Sequence, residues 1–510
     1  MNNYYITTPI YYVNDKPHIG HAYTSLACDI LARFKRLDGF DVHFLTGTDE
    51  HGQKVEKSAQ AKNINPQEFT DNVSQNFRDL ADLMNFSNDD FIRTTENRHK
   101  KACQKLWQEL EKNGHIYLDK YSGWYSVRDE AYYTESELID KEGKKLAPTG
   151  AEVEWVEEES YFFDLSKWQD KLLKLYDENP DFIAPKSRRN EVISFVKDGL
   201  KDLSVSRTAF SWGVKVPNND KHIMYVWVDA LTNYLTTLGY PDEKNKKFEK
   251  YWGADLHMVG KDIIRFHAVY WPALLMASGL DLPKRIFAHG WWTNEGEKIS
   301  KSLGNIIDPV DLVEKYGLDQ TRYFLMREIS FGNDGDFSKQ AMISRTNSDL
   351  ANDIGNFCQR SLSMVFKNCE GIIPNPNLND GDNEIINNAK QCLETVRLNL
   401  DKQEFNKALE YIWKIVGQAN KYVDDNAPWA LKNTDLDRMG TVLYTCGELI
   451  RIFGILLQPF IPNSASKMLD LIAIPEEQRT FKNINNSLQS GVKIDKPQVI
   501  FPRYVEQDDG

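Results

Sequence analysis

Two short strings carry the chemistry legible in this chain: Pro17-His18-Ile19-Gly20-His21 near the start and Lys298-Ile299-Ser300-Lys301-Ser302 far downstream. Two imidazoles three residues apart can donate hydrogen bonds to phosphate oxygens, increasingly so as charge develops on them. Lysine is a compact point charge suited to phosphate. Gly296, the two serines and Gly304 around Lys298 and Lys301 predict a loop, able to close after substrate enters. The pair suits a site that grips a triphosphate from both sides. Taken singly, the first string is also compatible with two polar cap histidines, and the second with a solvated basic turn.

The flanking residues say what positions the first string. Tyr4 to Thr8 is aromatic and β-branched, as a buried strand should be. Ala22, Leu26, Ile30 and Phe34 recur at four-residue spacing and predict a helix over 22–34. His18 and His21 therefore fall at a helix N-terminus, where free N–H groups and the positive dipole end favour a phosphate. Gly20 removes the side chain that would keep a flat base off the backbone. A second strand is predicted over Asp41–Thr46. It leads to Asp49 at a carboxyl end, the edge where open α/β sheets bind ligands. Asp49 could equally be an N-cap for a helix over 53–61. A metal held by Asp49-Glu50-His51 is disfavoured, because three adjacent residues do not readily converge on one ion.

At 510 residues the chain is too long for one core, and three or four modules are expected. Charged residues at 27% and apolar residues at 41% describe an ordinary soluble protein, with no apolar run expected to span a bilayer. The start runs straight into a strand, leaving no expected targeting peptide, and six scattered cysteines suit a reducing cytoplasm. A net charge of −13 argues against non-specific coating of nucleic acid but allows binding through a local basic face, with salt sensitivity. Strand-like and helical segments alternate over 1–115, ending in a helix predicted over 97–113. From 116 the texture changes to short aromatic strands and an acidic run at Glu154–Glu159, which reads as an insertion over 116–221. The nucleotide-binding pattern resumes over 222–290 and includes the strand-like His257-Met258-Val259. The cationic loop region covers 291–340, and 341–510 reads almost wholly helical.

The sequence is similar to a known family at these residues. The two strings resemble the HIGH and KMSKS motifs of class I aminoacyl-tRNA synthetases, with Ile299 in place of the usual methionine. Thr8-Pro9-Ile10-Tyr11-Tyr12-Val13-Asn14, Thr46-Gly47-Thr48-Asp49-Glu50-His51-Gly52 and Tyr225-Val226-Trp227-Val228-Asp229-Ala230-Leu231 resemble the methionyl-tRNA synthetases more specifically. The likeness runs almost end to end. It implies a Rossmann-like α/β catalytic domain with an inserted connective subdomain, followed by an all-α helical-bundle anticodon-binding domain.

The same resemblance implies site roles. His18, His21, Lys298 and Lys301 would be catalytic, with Gly20, Gly260 and Asp262 also on ATP, the last at the ribose hydroxyls. Asp49 would hold the substrate's α-amino group. Ile10, Tyr12, Trp227, Ala230, Leu231, Tyr234 and His289 would complete a methionine pocket. Aromatic faces for the thioether are worth about 0.3–1.5 kcal/mol each. In isolation those aromatics read as ordinary core. Asn356 and Arg360, four apart on one helix face, and Trp429 after Pro428 would read the CAU anticodon. On their own they are a solvated polar pair and a lid tryptophan.

The implied reaction has two steps. The carboxylate of methionine attacks the α-phosphorus of ATP, with Mg²⁺, giving methionyl-adenylate and pyrophosphate. The 2′-OH of the terminal adenosine of tRNA(Met), the initiator included, then takes the acyl group. No protein nucleophile is needed, so catalysis is positioning and charge stabilisation. Many relatives carry a zinc knuckle in the insertion. Here Tyr125-Ser126-Val127-Arg128-Asp129 stands where a C-x-x-C would be, and 116–221 contains no cysteine, so a knuckle held by packing without zinc is expected. The absence of an appended oligonucleotide-binding barrel after the helical region leads us to expect a monomer. Rival readings are a synthetase for a branched aliphatic amino acid, a small nucleotidyltransferase, and a non-catalytic tRNA binder. The first would bring a much larger insertion, the second does not explain the helical region, and the third has no need of the histidines, lysines and Asp49.

Overall fold

The computed structural model describes residues 2–13, 16–129, 131–141, 143–298 and 306–506. Its centre is a parallel sheet. Strand β1 (Asn3–Thr7) lies between β3 (Asp41–Asp49) and β6 (Leu256–Gly260). The short β2 (Tyr11–Tyr12) continues along the β1 side of β3, and β4 (Asp90–Arg93) takes its other side. Beyond β6 come β7 (Ile286–His289) and the edge strand β5 (Ile183–Ala184). Chain order thus reverses between β1 and β6, and a crevice opens at the carboxyl ends of those two strands. β3 runs three residues beyond its predicted end and delivers Asp49 to that crevice. Gly47 lets β4 approach, since a Cβ there would lie 2.1 Å from the Ile92 carbonyl oxygen.

Helix α1 (Ile19–Leu37) begins one residue after His18 and is longer than the predicted 22–34. Ala22, Leu26, Ile30 and Phe34 are all fully buried, as their spacing requires, the last three in a core that continues into the C-terminal helices and Ala22 beside Leu80 and Met84. The predicted helix over 97–113 forms as Asn97–Lys112 and ends at Gly114, whose φ is +76°.

Three features depart from the sequence expectations. Ile183–Ala184, expected within the insertion, pairs with Ile286–Phe287 as part of the main sheet. Two residues cannot display a strand periodicity, so only the pairing reveals it. The rest of 116–221 folds around long antiparallel strands, Ile116–Ser126 on Glu154–Phe163, together with helices Gln169–Glu178 and Lys186–Lys197.

Leu436–Leu457 is, by length and apolarity, a helix that could cross a membrane, contrary to the expectation of no such run. All residues from Met439 to Leu457 are buried inside the helical bundle, which explains the composition without a bilayer. The C-terminal region is helical only to Leu471. Beyond it, apart from single turns at Glu476–Gln478 and Phe481–Asn483, the chain wraps irregularly over the bundle. Backbone bonds from Ile373 to Val492 and from Ile494 to Gly371 fasten that tail.

Candidate active site

His18 is the N-cap of α1. The Gly20 N–H donates to His18 Nδ1 and the His18 N–H donates to His21 Nδ1, each over 3.1 Å. Neutral imidazoles that accept at Nδ1 carry their proton on Nε2. The cap fixes the tautomer and leaves an N–H on each ring available. The two rings lie 3.9 Å apart, and His21 packs on Tyr11 and Phe77. Burial pushes His21 well below the ordinary histidine range, with neighbouring His18 adding to it. His18 is lowered too by its surroundings at the cavity mouth, against the pull of Asp262, although by surface area it is exposed. Gly20 has a steric reason as well, because a Cβ would stand 2.9 Å from His18 Cε1.

Both histidines line a cavity of about 660 Å³. The structure gathers there every residue proposed from sequence for methionine and, apart from the two lysines, every one proposed for ATP: Ile10, Tyr12, Asp49, Trp227, Ala230, Leu231, Tyr234 and His289, with Gly20, Gly260 and Asp262. Lys298 is described only as backbone, pairing with Thr293 in a hairpin whose turn is Glu295-Gly296. Lys301 lies outside the described residues.

The segment Asp49-Glu50-His51 sends its side chains three ways. Asp49 ends β3 and lines the cavity. It does not cap the helix Gln53–Ala61, whose N-cap is Gly52. Glu50 is buried and accepts from Arg93 Nε and Nη2, at 2.7 and 3.0 Å, and from the hydroxyls of Thr48 and Thr95. His51 turns to Asp229, 2.7 Å away.

The facing wall is the short helix Val226–Leu231. Trp227 stacks flat on Phe266 with centroids 3.7 Å apart. Tyr234 donates its hydroxyl proton to His267 Nε2 over 2.7 Å, and His267 Nδ1–H donates to the Ile263 carbonyl over 3.0 Å, which fixes the neutral tautomer. His267, pushed down to about 4 chiefly by burial, lines the cavity beside Asn233 and Ile263 and was missed by sequence reasoning. The available signal was a histidine within the apolar run Phe266–Trp271, just past Gly260-Lys261-Asp262. His289 sits instead against the second turn of α1, 2.7 Å from Thr24 Oγ1, with its Nδ1–H on the Gly290 carbonyl. Asp262 accepts the indole N–H of Trp291, another lining residue that sequence did not single out.

In the insertion, the tip residues Arg128 and Asp129 also reach the cavity. Arg128 donates to Thr149, and Asp129 accepts from the Tyr133 hydroxyl at 3.0 Å and from Thr149. Arg207 lies over the rings of Tyr125, Tyr132 and Tyr225. Hydroxyl, carboxylate and aromatic contacts thus occupy the place of a knuckle. A zinc site of thiolates does not fit the donor set.

In the C-terminal helical region, Leu350, Ile354 and Phe357 are fully buried and Asn356 is exposed on the same helical run. Arg360 is held by Asp424 at 2.8 Å and by Asn420 at 3.1 Å, both from helix Phe405–Asn426. That helix ends at Ala427 in a left-handed conformation, which turns the chain into Pro428–Leu431. Trp429 on this last turn is 49% exposed, as expected for a residue able to stack.

Comparison with known proteins agrees with this layout. Residues 4–362 match the family model "tRNA synthetases class I (M)" and 374–509 match "Anticodon binding domain of methionyl tRNA ligase". The methionine–tRNA ligase of Rickettsia felis is 60% identical over 509 residues, covering 99% of both chains, and that of Brucella suis is 57% identical over the same length. A crystal structure of Mycobacterium tuberculosis methionyl-tRNA synthetase bound by methionyl-adenylate superposes with a TM-score of 0.96 at 52% identity, covering 98% of this chain and 100% of that one. With its Rossmann-type sheet, helical C-terminal region and near-full-length identity, this chain belongs to the methionyl-tRNA synthetases, ligases of the class I aminoacyl-tRNA synthetase family.

Proposed function

We propose that His18 and His21, through Nε2–H, stabilise the phosphates of ATP as the carboxylate of methionine attacks the α-phosphorus. Lys298 and Lys301 neutralise the leaving pyrophosphate from the opposite side. The reciprocal capping is the observation that carries this reading, because it presents two donors in a fixed tautomer with nothing to reorganise during reaction. Gly20 and Gly260 let the nucleotide approach the backbone, and Asp262 takes the ribose hydroxyls. Asp49 binds the α-ammonium of methionine, while Ile10, Tyr12, Trp227, Ala230, Leu231, Tyr234 and His289 enclose the side chain. The product methionyl-adenylate then passes its acyl group to the 2′-OH of tRNA(Met), the initiator included, with Asn356, Arg360 and Trp429 on the anticodon.

ATP enters with Mg²⁺, no structural zinc is required, and the enzyme works as a monomer in the cytoplasm. The domains run 1–115 and 222–290 for the catalytic halves, joined in their sheet by Ile183–Ala184, the remainder of 116–221 for the insertion, 291–340 for the loop region and 341–510 for the anticodon domain.

The test is amino-acid-dependent ATP–pyrophosphate exchange across all twenty amino acids, with EDTA-treated protein resupplied only with Mg²⁺. Exchange with methionine alone supports both the pocket and independence from zinc. Exchange with a branched aliphatic amino acid overturns the pocket, and recovery only on adding zinc overturns the knuckle reading.

A further inference from the structure

Behind the amino-acid cavity lies a buried carboxylate that none of the roles above uses. Asp229 sits in the helix Val226–Leu231 between Trp227 and Ala230, which line the cavity, yet it is itself fully buried outside that lining. His51 Nδ1–H donates to one of its oxygens over 2.7 Å, and His99 Nε2–H donates to the other, also over 2.7 Å. His51 follows Asp49 by two residues. His99 is fixed in helix Asn97–Lys112 and meets Thr236 Oγ1 through Nδ1 at 3.1 Å. Cys103 Sγ adds a contact at 3.7 Å.

Three of these donors, His99, Cys103 and Asp229, are close enough to suggest a metal. The 2.7 Å between His99 Nε2 and Asp229 Oδ1 is instead the distance of an N–H···O bond, with a proton between the atoms. Burial acts to raise the Asp229 pKa, but the two histidines hold it well below the usual carboxylate range. The carboxylate is thus satisfied at both oxygens and can act as a rigid tie.

We propose that His51, Asp229 and His99 form a brace that fixes the separation between the Asp49 wall and the Trp227 wall of the cavity, and thereby sets the affinity for methionine. These are positioning residues, since they act on the substrate only through Asp49 and Trp227. The geometry requires such a tie: the two walls come from segments 178 residues apart in sequence, and the His51–Asp229 bond joins them within two residues of each binding group. Small displacements at either end misplace an ammonium partner or an aromatic face. The proposal rests on the assignment of methionine to this cavity.

The experiment titrates methionine and ATP separately in pyrophosphate exchange with full-length His51→Leu, His51→Asn, Asp229→Asn and the control Asp49→Asn. His51→Leu is expected to raise the methionine KM at least tenfold while leaving the ATP KM within about threefold. His51→Asn, whose side-chain N–H₂ can reoccupy the Nδ1 position, should recover most of that loss. Should His51→Leu fail to fold, the isosteric Asp229→Asn must show the same methionine-selective rise. Equal impairment of both substrates, or equal damage from Leu and Asn, overturns the brace. An unchanged methionine KM in His51→Leu beside a raised one in Asp49→Asn overturns the brace alone. Unchanged values in both remove the cavity assignment and the brace with it.

Discussion

His18 and His21 cap α1 reciprocally, the backbone N–H of His18 reaching the ring of His21 while His18's own ring takes the N–H of Gly20. One pair of side chains thereby closes a helix terminus and presents two Nε2 donors at the cavity. Capping and the proposed phosphate contact can be separated because they use opposite edges of the ring.

Replacing His18 with asparagine keeps an N-cap acceptor and removes the Nε2 donor. Loss of a preorganised donor costs about 2.7–4 kcal/mol of barrier, so adenylate formation should fall roughly 10²–10³-fold. The melting temperature of His18→Asn should stay close to that of the parent, whereas His18→Ala should also lose about 1 kcal/mol of cap. Single-turnover adenylate formation and a thermal melt on both variants check this. A slow-down in alanine alone would mean that the cap, and not the donor, matters.

Asp49→Asn removes the charge proposed to hold the α-ammonium. A hydrogen bond to a charged group is worth about 1.5–3 kcal/mol, which predicts a methionine KM raised roughly 10- to 150-fold. The ATP KM should move little, since the proposed nucleotide contacts lie with Asp262 and the start of α1 and not with Asp49. Exchange kinetics with each substrate varied in turn measures the contrast.

The Tyr234–His267 pair predicts acid sensitivity. His267 titrates near its ordinary 6.5 when unfolded and at about 4 when folded, chiefly because it is buried. Between those values the unfolded chain binds the extra proton, so stability rises with pH across the window. The contribution is complete above pH 6.5 and lost progressively as pH falls towards 4, amounting to about 3 kcal/mol. Melting temperatures from pH 7.5 to 5 should fall more steeply in the parent than in His267→Gln. Parallel curves would refute the assignment.

Trp429→Ala should weaken tRNA(Met) binding by about 1–3 kcal/mol, the worth of one stacked base. ATP–pyrophosphate exchange without tRNA should be unchanged, because Trp429 lies in the C-terminal helical region and outside the lining of the cavity. Filter binding and exchange on the same preparation separate the two. Arg360 differs in one respect: its guanidinium is already held by Asp424 and Asn420.

Much of this was legible beforehand. The spacing of Ala22, Leu26, Ile30 and Phe34 dictates a buried helix face, and a helix that starts after His18 places both histidines at its N-terminus. β3 was readable as a strand from Val42-His43-Phe44-Leu45, and Asp49 then falls at its carboxyl end. His267 was not legible, because nothing local distinguishes a satisfied core histidine from one that borders a cavity. Its membership depends on Tyr234, thirty-three residues earlier, pointing a hydroxyl at it. Leu436–Leu457 was misjudged for the converse reason: composition reports apolarity, but only packing says whether protein or lipid covers it.

The sequence by itself determined the chemistry: which groups can meet phosphate, ammonium and thioether, and that no cysteine in 116–221 can bind zinc. These follow from residue type and local spacing, which the chain carries without folding. Tertiary structure alone decided which groups share a cavity, that Ile183–Ala184 completes the sheet, and that Asp229 ties His51 to His99. Those relations join residues far apart in the chain, and no local preference encodes them. They exist only once burial has offset the entropy of bringing distant segments together.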